Sequence, residues 1–416
     1  MKVLLIHEHG REHGGGAVTA MWRLHTGLLR AGHESIIACR KRALDRPDII
    51  TLPTAPLAER LLGSITWRIG MNDIHCWSTF KIPKFKPFLD ADVVNIHGWH
   101  SQYFNYLALP RLARRKPIIC TMHDMWNLTG HCSNSYDCTR WKTGCGQCPY
   151  LDVHPPVPKD RTAWEWKLKR RVYRKSPDMK VVAPSRWMID MARQSMLKDH
   201  DIRQIANPVD TDLYKPLDKA ACRAELGLPQ NKRIILFVSV ALHNRGKGAD
   251  LLIAALRSLP PALRADTMLL LMGERGDEMA AASGLNAHPT GYVFEDEKKV
   301  IIYNAADVVV LPSRAENQPL TLLEGMACGI PLVSYDIGGC GELVRPGVTG
   351  YRAIPESIDD LRDGIASLLE NRALHSKIAR TAREVAVNEY SLDVHVKKYV
   401  ALFEEALTKR RAAARR

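Results

Sequence analysis

Two glutamates eight positions apart, Glu316 and Glu324, stand in the segment Leu311 to Pro331. The segment reads as a strand ending near Leu311, a loop carrying Glu316, and a helix from Leu320 to about Cys328 carrying Glu324. Pro319 suits the first helical turn, where its missing N–H would be unpaired anyway, and Gly329 suits the C-terminal cap. Free N–H groups and the positive dipole end of such a helix stabilise a diphosphate or a sugar placed there. Carboxylates accept paired hydroxyl hydrogen bonds, so one glutamate can reach the sugar end and the other the ribose of one extended ligand. Taken alone, the pair reads equally as a surface loop residue and an ion-paired helix residue.

Polar residues gather after other apolar runs as well. The first run is followed by His7, Glu8, His9 and Gly10, then by Gly14, Gly15 and Gly16, a glycine turn whose exposed N–H groups suit phosphate or sugar oxygens. Ile118 to Met122 is followed by His123 and Asp124, and Ile234 to Val240 by His243, Asn244, Arg245, Gly246 and Lys247. A histidine after a buried strand is often only a structural residue; its place beside Asp124 at a strand end raises His123 above that. Cys132, Cys138, Cys145 and Cys148 cluster with five, six and two residues between them. Four thiolates so close can close a tetrahedral site, so they are candidate ligands of a structural zinc. In that reading Trp126, Asn127, Trp141 and Lys142, on the pinned loop, would face an acceptor.

The elements that must position these groups follow from the apolar runs. Val3 to Ile6, Val93 to Ile96, Ile118 to Met122, Val181 to Ala183, Ile234 to Val240, Met268 to Met272, Val308 to Leu311 and Leu332 to Ser334 alternate with helical patterns. Near-continuous apolar strands between helices indicate parallel sheets covered on both faces, an α/β fold. In such sheets ligands bind outside the carboxyl ends of the strands, where the polar groups lie. A chain of 416 residues with 46% hydrophobic content implies two globular domains. The proline-bracketed stretch Asn207 to Pro216 is the linker. The expected domains are 1–206, with a cysteine-bearing insertion at about 126–158, and 207–390, followed by a terminal helix and basic tail at 391–416. Asp210 and Asp212 look like a metal motif but fall in the linker.

The formal net charge is +14, which favours an acidic partner: nucleotide phosphates, nucleic acid or an anionic membrane surface. Residues 159–175 interleave Lys and Arg with Trp164, Trp166, Leu168, Val172 and Tyr173, and the tail carries Lys409, Arg410, Arg411, Arg415 and Arg416. Both are candidates for anionic head groups, against the plainer reading of a solvated helix face and a frayed tail. The opening apolar run is too short for a signal peptide and no stretch reaches membrane-spanning length. The expected location is cytoplasmic, with any membrane contact peripheral.

The surrounding pattern resembles the family-4 retaining glycosyltransferases of the GT-B fold, two facing Rossmann-like domains with a central cleft. Glu316 and Glu324 match the family's Glu-x7-Glu motif. Glu324 to Pro331 match the stretch that follows it, Asn207 to Asp210 the linker, and Lys247-Gly248 the pair opening a helix of the second domain. The glycine turn and His123-Asp124 fit as well. The resemblance covers nearly the whole chain and is strongest in the C-terminal half. It implies that Lys247 contacts the donor diphosphate, Glu316 the transferred sugar and Glu324 the ribose. His123 would stand near the reacting centre, and backbone amides from Asn317 through Gln318 to Leu320 would hold sugar and phosphate. Many members place an arginine about six residues before the lysine; here that position is Ala241, and Arg245 is the nearby substitute. Lys247, Arg245 and a helix N-terminus can stabilise a leaving nucleoside diphosphate without a metal, so no cofactor for catalysis is expected. No residue identifies itself as a covalent nucleophile. Base recognition is expected from backbone near Tyr292 to Phe294.

The expected partners are a nucleotide-sugar donor, a saccharide or lipid-linked saccharide acceptor as in cell-surface polysaccharide assembly, and an anionic membrane surface. A zinc-bearing nucleic-acid-binding protein is the first rival, but it leaves the Glu-x7-Glu segment without a purpose, and no nucleic-acid partner is expected. A sugar-nucleotide epimerase or hydrolase on the same fold is the second.

Overall fold

The computed structural model describes residues 1–12, 14–242 and 245–414. His243, Asn244, Arg415 and Arg416 lie outside the described residues. The chain divides into two compact units: Met1–Ala206 together with His395–Arg416, and Asn207–Val394.

The first unit is built on β1 (Lys2–Gly10), β2 (Glu34–Arg42), β3 (Ile49–Thr51), β4 (Val93–His97), β5 (Ile118–Thr121), β6 (Lys180–Ala183) and β7 (Asp201–Gln204). They form one parallel sheet in the order β3-β2-β1-β4-β5-β6-β7. Every residue of β4, β5 and β6 is buried, as expected of strands with helices on both faces. Leu5 pairs with Ile37 on one side and Asn95 on the other, so strand order reverses between β1 and β4. Such a reversal opens a crevice at the carboxyl ends of the two strands. Phe88, Trp99, Phe104 and Tyr106 fill the core beneath it.

The terminal helix, Leu392–Ala414, packs back on this unit instead of standing apart as a tail. Tyr399 is buried, with its hydroxyl 2.8 Å from Thr121 Oγ1. Lys180 Nζ donates to Glu405 at 2.7 Å and Arg410 to the carbonyl of Ala113 at 3.0 Å.

The second unit holds β8 (Arg233–Ala241), β9 (Thr267–Glu274), β10 (Asn286–Gly291), β11 (Val308–Leu311), β12 (Leu332–Tyr335) and β13 (Gly350–Ala353). The parallel order is β10-β9-β8-β11-β12-β13, with its reversal between β8 and β11. The helix Leu320–Ala327 lies close on this sheet because Gly325 has no side chain. A Cβ there would meet Val309 Cγ2 at 3.0 Å and Leu332 Cδ2 at 3.1 Å.

Strands β2, β3, β7, β10 and β13 are absent from the apolar runs of the sequence. They are short, partly exposed or polar: β7 is Asp-Ile-Arg-Gln, and β10 contains a proline.

Candidate active site

In the second unit the sequence candidates converge where strand order reverses. After β8 a short turn, Arg245–Lys247, leads through Gly248 into the helix Ala249–Arg257. Gly248 has φ 73°, and a Cβ there would stand 1.9 Å from the carbonyl of Pro312. The residue must be glycine for this turn to lie against the loop after β11. That contact brings Lys247 Nζ to 2.6 Å from Glu316 Oε1, which also accepts from Ser313 Oγ at 3.0 Å. Glu316 raises the Lys247 pKa despite burial. The loop is fixed from the other side by Gly338, whose φ is 48° and whose Cβ would meet the Glu316 carbonyl at 1.8 Å. The pair is a charged group of each sign, held by backbone, where a diphosphate sugar would present both phosphate and hydroxyls.

Glu324 lies on the helix Leu320–Ala327, is buried, and accepts from Tyr303 Oη at 2.9 Å through Oε2. The helix begins after Pro319, which serves as its N-cap, and has no side-chain cap. Asn317 and Leu320 flank its start. Gln318 does otherwise: its Oε1 accepts the Asn207 N–H at 2.6 Å and its carbonyl accepts Asn207 Nδ2 at 3.1 Å. Its side chain therefore anchors the stretch at Asn207, though its Nε2 is buried without a hydrogen-bond partner among the described residues. Arg245 is exposed, whereas Arg314 pairs with Asp250 at 2.7 Å and holds the Arg245 carbonyl at 2.7 Å. In the linker Asp210 Oδ1 accepts the N–H groups of Asp212 and Leu213, at 3.1 and 3.4 Å, closing a turn. Tyr292 and Phe294 follow β10 with rings 4.6 Å apart, Phe294 largely exposed.

In the first unit the same topological point is occupied by imidazoles. His123 follows β5, half-buried, with Nε2 3.0 Å from Nδ1 of His97, the last residue of β4. Burial, reinforced by His100, pushes the His123 pKa down to about 4 even though Asp124 opposes it. His7 on β1 is lowered to about 3, mainly by burial and then by His123, and His97 is lowered well below its ordinary value for the same reasons. Asp124 Oδ2 stands 2.7 Å from His100 Nε2, and its Oδ1 accepts the Trp126 N–H at 2.8 Å. Burial alone would lower His100, but the Asp124 carboxylate outweighs it and the net shift is upward. His97 and His100 were missed by sequence reasoning. The same strand-end rule applied to Ile96-His97-Gly98-Trp99-His100 would have found them. Tyr303 and Ser313 carry no such signal. Gly15 caps the helix Gly16–Arg30 with φ 100°, and a Cβ on Gly15 or Gly16 would meet nothing within 4 Å. Among the described residues no side chain caps this end, and no acid lies in its first turn.

All four thiols of the cysteine segment and His131 line one small cavity, yet among the described residues no three His, Cys, Asp or Glu side chains are grouped to hold a metal ion. The thiols have other partners: Cys145 Sγ accepts the Gly130 N–H at 3.2 Å and Cys148 Sγ lies 3.5 Å from His131 Nε2. Trp126, Asn127 and Trp141 are buried and present no surface to an acceptor; Lys142 is exposed. All three buried residues pack under the helix Thr162–Arg174, where Trp166 donates to the Trp141 carbonyl and Tyr173 to that of Asn127. Lys169 is fully buried, donates to the carbonyls of Trp126 and Thr129 at 2.9 and 3.2 Å, and stands 3.2 Å from the Trp126 ring centroid. Burial lowers the Lys169 pKa and raises that of its neighbour Glu165.

Residues 14–213 match the model of glycosyltransferase family 4, and residues 218–385 that of glycosyl transferases group 1. WcaC of Escherichia coli (strain K12), named as a glycosyl transferase of colanic acid biosynthesis, is 27% identical over 61% of this chain and 62% of its own length. The D-inositol 3-phosphate glycosyltransferase of Mycolicibacterium paratuberculosis is 30% identical over 77% of this chain and 69% of its own. The matched segment thus spans under two thirds of WcaC. The crystal structure of Anabaena Alr3699/HepE in complex with UDP-glucose aligns over 98% of this chain and 100% of that one, with a TM-score of 0.67 and 17% identity, a likeness of fold. With two Rossmann-like units in the GT-B pattern, the chain belongs to the family-4, group-1 glycosyltransferases.

Proposed function

We propose that the protein transfers a sugar from a nucleoside-diphosphate sugar to a saccharide acceptor, with retention of anomeric configuration, in cell-surface polysaccharide assembly. The observation that carries this reading is the Lys247–Glu316 pair, 2.6 Å apart beside the uncapped start of the helix that carries Glu324. A bound donor would replace Glu316 as the partner of Lys247, turning the ammonium to the diphosphate and freeing the carboxylate for sugar hydroxyls. Glu324, held by Tyr303, would meet the ribose. As the bond from the anomeric carbon to phosphate breaks, charge develops on the leaving diphosphate. Lys247 and the helix N–H groups are already aimed at it, the kind of preorganised stabilisation that accounts for much of enzymatic rate enhancement. The leaving phosphate oxygen accepts the acceptor's hydroxyl proton in a front-face transfer that needs no metal. Neutral His123, oriented by His97, with Asp124 beside it, supplies hydrogen bonds to sugar hydroxyls. UDP-glucose bound to HepE and the WcaC name support the substrate class. A lipid-linked acceptor at the cytoplasmic membrane face fits that class and the basic surface. Among the described residues no helix is long and apolar enough to cross a membrane.

The test is a thermal-shift series with UDP, GDP, ADP and their sugar conjugates on the wild type, Lys247→Ala and Glu324→Ala. A ligand bound only by the folded state raises the melting temperature by mass action. One nucleotide is expected to stabilise the wild type and to lose most of that effect in both variants. If no nucleotide shifts the wild type, the proposal fails. Turnover that persists in EDTA and stops without acceptor distinguishes metal-free transfer from hydrolysis or epimerisation.

A further inference from the structure

The helix Thr162–Arg174 connects β5 to β6 along the side of the first unit. One face is buried, through Glu165, Trp166, Lys169, Val172 and Tyr173. The other exposes Trp164, Lys167, Arg171 and Arg174, three or four positions apart and therefore on one stripe. Arg170 and Lys175 flank it, also exposed, and the helix's single acid, Glu165, is buried. Lys167, Arg170, Arg171, Arg174 and Lys175 enclose one shallow concavity. Lys175 also borders a second, of about 360 Å³, at the amino ends of β5 and β6. Its apolar floor includes Pro117, Ile118, Met179 and Ala406, and its rim carries Arg114, Lys116, Lys409 and Arg410.

Part of this charge has a structural use. Lys116 holds the carbonyls of Leu89 and Ala91, Arg410 those of Ala113 and Arg114, and Lys409 pairs with Asp178 at 2.9 Å. Cations also suit the helix C-termini that meet here. Neither use covers Lys167, which lies outside the last turn of its helix. Like charges three and four residues apart destabilise a helix, and Trp164, 53% exposed at the far end of the stripe, adds apolar surface in water. A cationic stripe ending in an exposed indole and continuing into an apolar-floored, cation-rimmed pocket is complementary to phosphate head groups above acyl chains.

We propose that this face binds the surface of an anionic phospholipid bilayer, with the helix side-on and the pocket taking a head group. The proposal goes beyond the transfer reaction and stands independently of the donor site in the second unit. The test is co-sedimentation of the full chain with vesicles of phosphatidylcholine alone and of phosphatidylcholine mixed with phosphatidylglycerol, at rising salt. The wild type should pellet with the mixed vesicles only, and less as salt rises. The triple variant Lys167→Glu/Arg171→Glu/Lys175→Glu should lower the partition coefficient by on the order of 100-fold, as expected from roughly a fivefold loss per cation. Trp164→Ala should lower it less. The nucleotide thermal shift should be unchanged in these variants, which shows that they fold and separates this proposal from the donor reading. Equal binding to both vesicles, no binding, or a triple variant that binds as the wild type overturns it. So does tighter, competing binding of single-stranded DNA, which would assign the face to nucleic acid.

Discussion

The two units reverse strand order at the same point of their sheets and fill it with opposite chemistry. Between β1 and β4 the first unit places His7 and His97, joined by His123 from the loop after β5, all kept neutral by burial. Between β8 and β11 the second places a full ion pair, Lys247 and Glu316. The difference follows from what each point can solvate. Imidazoles stacked beside one another, His97 and His123 with centroids 5.2 Å apart, cannot all hold protons in a dry pocket. An ammonium 2.6 Å from a carboxylate keeps its charge. Neutral donors and acceptors suit hydroxyl groups, whereas a fixed cation suits a diphosphate. Under the proposed function, one architecture would offer two kinds of ligand recognition through the residues at its strand ends.

The sharpest way to break this comparison is Lys247→Ala. If the charged point handles the leaving diphosphate, transfer should fall roughly 100- to 1000-fold at unchanged fold, by analogy with loss of one preorganised donor. A loss below about tenfold would remove the distinction between the units. Acid should act on the first unit next. His123, His7 and His97 titrate in the folded chain well below the usual value of about 6.5, so the unfolded chain takes up protons first as pH falls. Stability should therefore decline from about pH 6.5 downward, by about 1–3 kcal/mol for each of His7 and His123 toward pH 4. His100 has the opposite sign: its pairing with Asp124 is fully present below about pH 6.5 and lost as pH rises through its raised pKa. Urea midpoints across pH for the wild type and His123→Gln should show a shallower acid decline in the variant; identical slopes would mean that His123 titrates normally.

Glu324→Ala should weaken nucleotide binding about 10- to 100-fold, the usual scale for a hydrogen-bonded charge. Tyr303→Phe should cost only about fivefold, measured by titration calorimetry. A Tyr303→Phe loss as large as that of Glu324→Ala would show that Glu324 acts through the tyrosine and not on the ligand. The smallest effect is expected from Tyr399→Phe, which removes the bond to Thr121 and should lower stability by about 1 kcal/mol without changing nucleotide affinity. An activity loss larger than the stability loss would give the terminal helix a role at the histidine-bearing strand ends.

Central strands such as β4 and β11 were legible because burial on both faces demands uninterrupted apolar residues. β7 and β10 were not, because edge strands face water and keep polar residues and proline. Cysteine spacing marked a segment of the chain but not its contacts: Cys145 Sγ accepts the Gly130 N–H and Cys148 Sγ lies beside His131 Nε2. Trp126 and Trp141 look like surface aromatics in a loop until Lys169, forty-odd positions away in the first case, closes over the former.

By itself the sequence determined the α/β class and the local frames of Lys247-Gly248 and of Glu316 through Glu324, because strand burial, helix starts and glycine turns are short-range requirements of the backbone. The tertiary structure alone decided that Lys247 meets Glu316, 69 residues away, and that Tyr303 meets Glu324. It alone joined His97 to His123, buried Lys169, and returned the last helix to the first unit. Those pairings depend on which strands lie side by side, and strand order is settled by packing of the whole sheet, which no local run of residues encodes.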